Sequence, residues 1–211
     1  MQNRYQQTRY DLSVHELSQL PQDDGREVAF CGRSNAGKSS VINVLTAQNR
    51  LARSSKLPGR TRQLNFFTVE PGIRLVDLPG YGYAQVSRAL QKHWHTVINA
   101  YLGGRDSLAG LILIVDIRRE LNEQDKQLLA WCGATALPVH ILLNKADKLP
   151  RGRAKNALLA LQREWPAEAA GGQAVSVQLF SALKQSGVPE LRTRLDGWLY
   201  GERPVAGAGE R

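Results

Sequence analysis

The chain has 211 residues, 42% of them hydrophobic, which suits one domain with a full core. Its 28 Lys and Arg against 19 Asp and Glu leave a formal charge of +9, which points to a polyanionic partner or surface; at 7% aromatic residues, base stacking on an exposed sheet is not supported. No apolar stretch is long enough to span a bilayer and the N-terminus lacks a secretory pattern, so a cytoplasmic protein with no membrane anchor is expected, and a monomer.

Residues 1–24 are polar, with an apolar spacing of Val14, Leu17 and Leu20 that predicts one docked amphipathic turn in an N-terminal extension. From there strands are expected at 28–31, 63–70, 72–77, 111–116, 139–144 and 175–180. Helices are expected near 38–46, 84–102, 122–132, 153–165 and 188–200. This alternation predicts an α/β fold, a doubly wound and mostly parallel sheet of six strands with helices on both faces. Pro71-Gly72 between the second and third strands makes that pair an antiparallel hairpin at one edge. The domain is read as residues 25–200, and residues 201–211, with Pro204, Gly207 and Gly209, as a disordered tail. Cys31 and Cys132 lack metal-ligand spacing and are expected to be reduced and structural.

Gly32-Arg33-Ser34-Asn35-Ala36-Gly37-Lys38-Ser39 fits G-x-x-x-x-G-K-[ST] between an apolar strand and a helical run, the context that motif requires. Its glycines let backbone N–H groups curl around phosphates, Lys38 reaches the β- and γ-phosphates, and the Ser39 hydroxyl ligates Mg²⁺. Asp77-Leu78-Pro79-Gly80 ends a strand, where the carboxylate can hold a metal-bound water and the Gly80 N–H can meet a γ-phosphate. D-x-x-G alone is weak, since it is also an ordinary turn. The polar segment from Ser55 through Gly59, Arg60, Thr61, Arg62 and Gln63 is a loop in which Thr61 is the candidate second hydroxyl for Mg²⁺, with Ser54 and Ser55 as alternatives. Arg50, Arg53, Lys56, Arg60 and Arg62 gather charge around it, and Arg151, Arg153 and Lys155 form a second basic group whose role is either solvation or binding.

Asn144-Lys145-Ala146-Asp147 says which base is bound. A carboxylate at Asp147 accepts two parallel hydrogen bonds from guanine's ring N–H and exocyclic amine, a donor pair adenine lacks. Read alone, the tetrapeptide can also be a strand end running into a turn. Phe180-Ser181-Ala182 follows the last strand, and the Ala182 N–H can be offered to guanine O6.

The wording of Gly32-Arg33-Ser34-Asn35-x-Gly37-Lys38-Ser39-Ser40, Pro58-Gly59-Arg60-Thr61, Asn65-Phe66-Phe67 and Asp77-Leu78-Pro79-Gly80-Tyr81-Gly82-Tyr83-Ala84 resembles the EngB family of bacterial GTP-binding proteins, among the translation-factor-like GTPases, from about Val28 to Trp198. Asn144 stands where that family usually has Thr, and Leu57 where Thr is common. The resemblance implies the P-loop NTPase, Ras-like form of that α/β fold, GTP and GDP as ligands, Mg²⁺ as cofactor, and Lys38, Thr61 and Gly80 in catalysis. It also implies a nucleotide switch in assembly of the large ribosomal subunit, whose rRNA would be the polyanion, and a link to cell division and septation. A regulatory GTPase of a division scaffold or membrane is the alternative. Tyr81 stands where Ras-like enzymes carry a water-orienting glutamine, so slow turnover is expected, with the missing group supplied by Arg60, a monovalent cation or a partner. Asn35 resembles the asparagine of potassium-activated GTPases, and is otherwise an asparagine chosen for a tight loop.

Overall fold

Alternation along the strand before the glycine-rich loop decides the layering. In β2 (Arg26–Gly32), Val28 and Phe30 point to one face and Ala29 and Cys31 to the other, and all four are buried. A strand buried on both faces belongs in the middle of a sheet with helices on each side. The computed structural model describes residues 3–52, 63–81, 88–166 and 175–201, the side chains of 88–95 excepted.

Among the described residues one seven-stranded sheet runs in the order β1 (Arg9–Val14), β3 (Leu64–Glu70), β4 (Ile73–Asp77), β2, β5 (Leu108–Asp116), β6 (Val139–Asn144), β7 (Val175–Leu179). β4, β2, β5, β6 and β7 are parallel, and β3 is antiparallel to both of its neighbours. Val41, Ile42 and Leu45 of α1 (Lys38–Leu45) pack with Leu191, Leu195 and Leu199 of α5 (Val188–Tyr200) on the face of Val28 and Phe30. On the face of Ala29 and Cys31 lie Tyr101 and Leu102 of α2 (Arg88–Gly104), Leu129 and Cys132 of α3 (Glu123–Ala134), and Ala154 of α4 (Arg151–Glu164). Both cysteines are buried and unpaired, and burial raises the thiol pKa of each, that of Cys132 to about 12.

The N-terminal segment departs from the sequence reading. Six strands and an edge hairpin are expected, but β1 adds a seventh strand against β3, so the β3–β4 hairpin stands one strand in from the edge. Val14 ends that strand fully buried, while Leu17 starts a 3₁₀ turn and is 39% exposed, so the three-residue spacing is not the face of one helical turn. A capping box between Glu16 and Gln19 holds this turn. β5 starts three residues before the expected position, and α5 has the expected bounds. The loop carrying Arg53, Ser54, Ser55, Lys56, Gly59, Arg60, Thr61 and Arg62, and the tail beyond Gly201, lie outside the described residues.

Candidate nucleotide-binding site

The loops after β2, β4, β5, β6 and β7 all leave the same end of the sheet, and every described motif falls on one of them. Ligands of open α/β sheets bind at this end. Gly32 closes β2 against β5: a side chain there would put its Cβ 2.4 Å from the Ile114 carbonyl oxygen. Asn35 and Gly37 both take left-handed backbone, at φ 67° and 102°, which folds residues 33–37 into a hollow loop closed by an Ala36 N–H bond to Arg33 O of 3.0 Å. Helix α1 has no side-chain cap, and its first return bond, Val41 N–H to Gly37 O, leaves the N–H groups of its first turn directed into that loop. Lys38 and Ser39 open the helix, and the Lys38 ammonium is paired with Asp77.

Asp77 is the last residue of β4 and is nearly buried. Beyond it Leu78 donates its N–H to Phe30 O at 2.9 Å, Pro79 is buried, and Ser34 N–H binds Tyr81 O at 3.0 Å, so the segment lies against the glycine-rich loop. Gly80 keeps this approach open, since a Cβ there would meet Ser34 Oγ at 3.3 Å. The Tyr81 side chain turns away and donates its hydroxyl to Asp125 Oδ1 at 2.5 Å. Asp125 is buried in the capping box of α3, where its other oxygen accepts the Asn122 N–H at 2.9 Å. Burial holds the Tyr81 phenol far above its usual range, so it remains a neutral donor.

The base-side motif reaches back to this loop. Asn144 ends β6 buried; its amide donates to Ala36 O at 2.8 Å and accepts the Ala182 N–H at 3.3 Å. A Cβ on Gly37 would stand 2.4 Å from that amide, so the glycine serves contact with Asn144 as well as the turn. Lys145, itself left-handed at φ 64°, donates its ammonium to Asn35 O at 2.6 Å and Asp116 Oδ2 at 2.9 Å, laying its stem across the site. Ala146 N–H binds Phe180 O at 3.0 Å, and the Phe180 ring is buried in the α1–α5 face, so Phe180 serves the site through its backbone. Asp147 accepts the Ser181 hydroxyl at 2.5 Å, which keeps its carboxyl below the usual range and ionised.

The structure thus brings together Gly32 to Ser39, Asp77 to Gly80, Asn144 to Asp147 and Phe180 to Ala182. It sets Gln63 apart, with its amide in contact with His15. Asp116, at the end of β5, was not read from the sequence. The guanidinium of Arg118, chiefly, and the ammonium of Lys145 hold its carboxyl well below the usual range. Its only local signal is an acid that ends the apolar run Leu111 to Val115. The partnership of Tyr81 with Asp125 spans 44 residues and has no local signal. For a divalent cation, the Ser39 hydroxyl at the start of α1 is a hard oxygen donor of the kind Mg²⁺ takes, and the Asp77 carboxylate at the end of β4 can hold a water bound to it, so these residues fit the ion. Among the described residues no three His, Cys, Asp or Glu converge as a metal cage, and no helix is long and apolar enough to cross a membrane.

Residues 27–145 match the family model described as 50S ribosome-binding GTPase. The chain is 51% identical over 194 residues to a probable GTP-binding protein EngB of Stenotrophomonas maltophilia, covering 92% of this chain and 96% of that one. It is 50% identical over 206 residues to the corresponding protein of Xanthomonas axonopodis pv. citri, covering 97% and 95%. A crystal structure of a probable GTP-binding protein engB superposes with a TM-score of 0.66 at 20% identity, covering 83% of this chain and all of that one, a likeness of fold. With half its residues shared over nearly the full length of these relatives, the chain belongs to the EngB family of GTP-binding proteins and is a GTPase of the P-loop fold.

Proposed function

We propose that this GTPase is a slow nucleotide switch acting on the large ribosomal subunit during its assembly, and so needed for normal division and septation, in the cytoplasm and as a monomer. The observation that carries the nucleotide reading is the pair of cross-site bonds, Asn144 to Ala36 O and Lys145 to Asn35 O, which tie the phosphate loop to the base motif. In this reading residues 25–200 form the GTP-binding unit, and 1–24 an N-terminal extension that adds β1 to its sheet.

Each residue's role follows from its chemistry. The N–H groups of residues 33–39 and the Lys38 ammonium bind the phosphates, and Lys38 exchanges its Asp77 partner for them. Ser39 and Thr61 hold Mg²⁺, which supplies charge compensation at the phosphates. Gly59, Arg60, Thr61 and Arg62 bind the nucleotide on its γ-phosphate side, where the Gly80 N–H also meets that phosphate. Asp147 reads the guanine ring edge, Ala182 its O6, and the Lys145 stem covers the base face. With the Tyr81 hydroxyl bound to Asp125, no water-orienting side chain follows Gly80, which supports intrinsic turnover on the order of the unassisted Ras rate of about 4 × 10⁻⁴ s⁻¹ or below. Arg60, K⁺ beside Asn35, or the ribosomal particle supplies the missing stabilisation; rates that are equal in KCl and NaCl at one ionic strength remove K⁺ from that set.

Support for the particle comes from the +9 charge and from the ribosome-binding description of the matched family model. Cosedimentation of the protein with large subunits and, separately, with anionic vesicles tests it. Binding to subunits is expected, tighter with a slowly hydrolysed GTP analogue than with GDP, and weaker as KCl rises. Replacing Arg50 and Arg53 by Gln lowers the salt slope if they meet RNA. Binding to vesicles and not to subunits contradicts the proposal.

A further inference from the structure

The turn that follows β7 is fixed from both sides. Ser181 and Ser186 exchange two backbone hydrogen bonds, of 3.1 and 3.2 Å, and the Ser181 hydroxyl accepts the Lys184 N–H at 3.1 Å while donating to Asp147. These bonds make residues 181–186 one stiff unit whose Ala182 N–H faces Asn144 Oδ1. Gly187 then enters α5 at φ 84°, and a Cβ there would fall 2.6 Å from Leu179 O and 2.7 Å from Gln178 Nε2. The chain is therefore pressed onto β7 at that residue.

What it is pressed against is a line of polar side chains inside the α5 face of the sheet. The Gln178 amide donates to Gly187 O at 2.9 Å and, more loosely, to Leu179 O at 3.4 Å. Its NH₂ group being spent on two carbonyls, its oxygen is left for His140 Nε2, 2.8 Å away. His140 is therefore the Nε2–H tautomer, and its Nδ1 accepts the Ser176 hydroxyl at 2.7 Å. His140 is 4% exposed and pairs with Ser176 in the β6–β7 register, where an apolar side chain would fill the space at no polar cost. A buried polar chain is justified when every member is satisfied, and each here has its partner.

We propose that Gln178, held by His140, is a positioning residue for base recognition: it fixes where the Ser181–Gly187 turn stands over the site, and so sets the discrimination of guanine from adenine without touching the nucleotide. This rests on the reading of Ala182 and Asp147 as the base-facing groups. Guanine contacts need the turn in register, whereas phosphate contacts lie on the loop of residues 33–39 and do not.

Competition titrations of GDP and ADP against a fluorescent GDP analogue test this, on native protein, Gln178→Met, His140→Leu and His140→Gln. Gln178→Met is expected to weaken GDP about tenfold, the equivalent of one neutral hydrogen bond, while ADP stays within about twofold. His140→Leu weakens GDP less, about threefold, and His140→Gln, whose amide can donate to Gln178, recovers most of that loss. Should Gln178→Met fail to fold, the two His140 variants carry the same test. Equal losses for GDP and ADP, or unchanged GDP binding in folded variants, overturn the positioning role. A native protein that binds ADP as well as GDP overturns instead the base-recognition reading beneath it.

Discussion

Glu27, near the start of β2, and Asp77, at the end of β4, are both buried carboxylates facing cations, and their surroundings could hardly differ more. Glu27 is fully buried and accepts four bonds: from Arg74 at 3.4 Å, from Arg105 Nη2 at 2.5 Å, from Arg105 Nε at 3.3 Å and from the Tyr101 hydroxyl at 3.1 Å. The two guanidiniums go on to bind Pro21 O and Gln22 O, and Asp24 through both its carboxylate and its carbonyl, which straps the N-terminal segment to the sheet. Both Glu27 oxygens there are each met by two protein donors. At the other end Asp77 has Lys38, a flexible ammonium that a phosphate can draw away, and Asp116 shares Lys145 with Asn35 O. Closed networks hold a fold; paired charges with a mobile member can change partner with ligand. The same chemistry is locked at one end of the sheet and exchangeable at the other.

Breaking the locked end should produce the largest effect. Arg105→Met leaves Glu27 buried with one cation fewer and is expected to lower the unfolding free energy by about 3–5 kcal/mol in urea titration, with the GDP to ADP ratio unchanged. At the exchangeable end the effects fall on ligand binding. Asp147→Ala is expected to weaken GDP by about 2 kcal/mol in calorimetry, with a small shift in the unfolding midpoint. A variant whose stability and affinity fall together would blur the distinction between the two ends. Tyr81→Phe, between the two cases, is expected to cost about 1–2 kcal/mol of stability by leaving a buried oxygen of Asp125 short of a donor, while single-turnover GTP hydrolysis stays of the same order.

The smallest effect concerns pH. Burial lowers the His140 pKa from 6.5 to about 4, with Arg194 on α5 acting in the same direction and the Gln178 bond opposing them. The folded protein therefore disfavours protonated His140. The contribution of His140 to stability is full above about pH 6.5, falls as the unfolded chain takes up its proton between about 6.5 and 4, and levels below that. Urea midpoints across this range should decline less steeply in His140→Gln than in the native protein; identical slopes would mean that other groups carry the pH dependence.

The comparison also explains what could be read from the sequence. Gly32 to Ser39, Asp77 to Gly80 and Asn144 to Asp147 are contiguous stretches whose spacing follows from how a loop wraps a ligand, so they were legible, as was the strand and helix order that carries them. The locked end was not. Glu27 meets Arg74 and Arg105 across 47 and 78 residues, and nothing near any of them announces the others. β1 was missed because it is an edge strand, with Arg9, Tyr10 and Asp11 exposed and only Val14 buried, so its alternation is faint beside the accidental spacing of Val14, Leu17 and Leu20. Asp116 is one acid without a motif, and becomes part of the site only through Lys145.

The central claim is that the exchangeable end is built for a guanine nucleotide, with Asp147 as its reader. The direct measurement is a competition titration of GDP, ADP and XDP on the native protein and on Asp147→Asn. The native protein should prefer GDP over ADP by a hundredfold or more, on the order of 3 kcal/mol. Asp147→Asn, whose amide can donate to the xanthine carbonyl, should bind XDP better than GDP. Native protein that binds ADP as tightly as GDP, or an Asp147→Asn variant whose preference for GDP is undiminished, would contradict it.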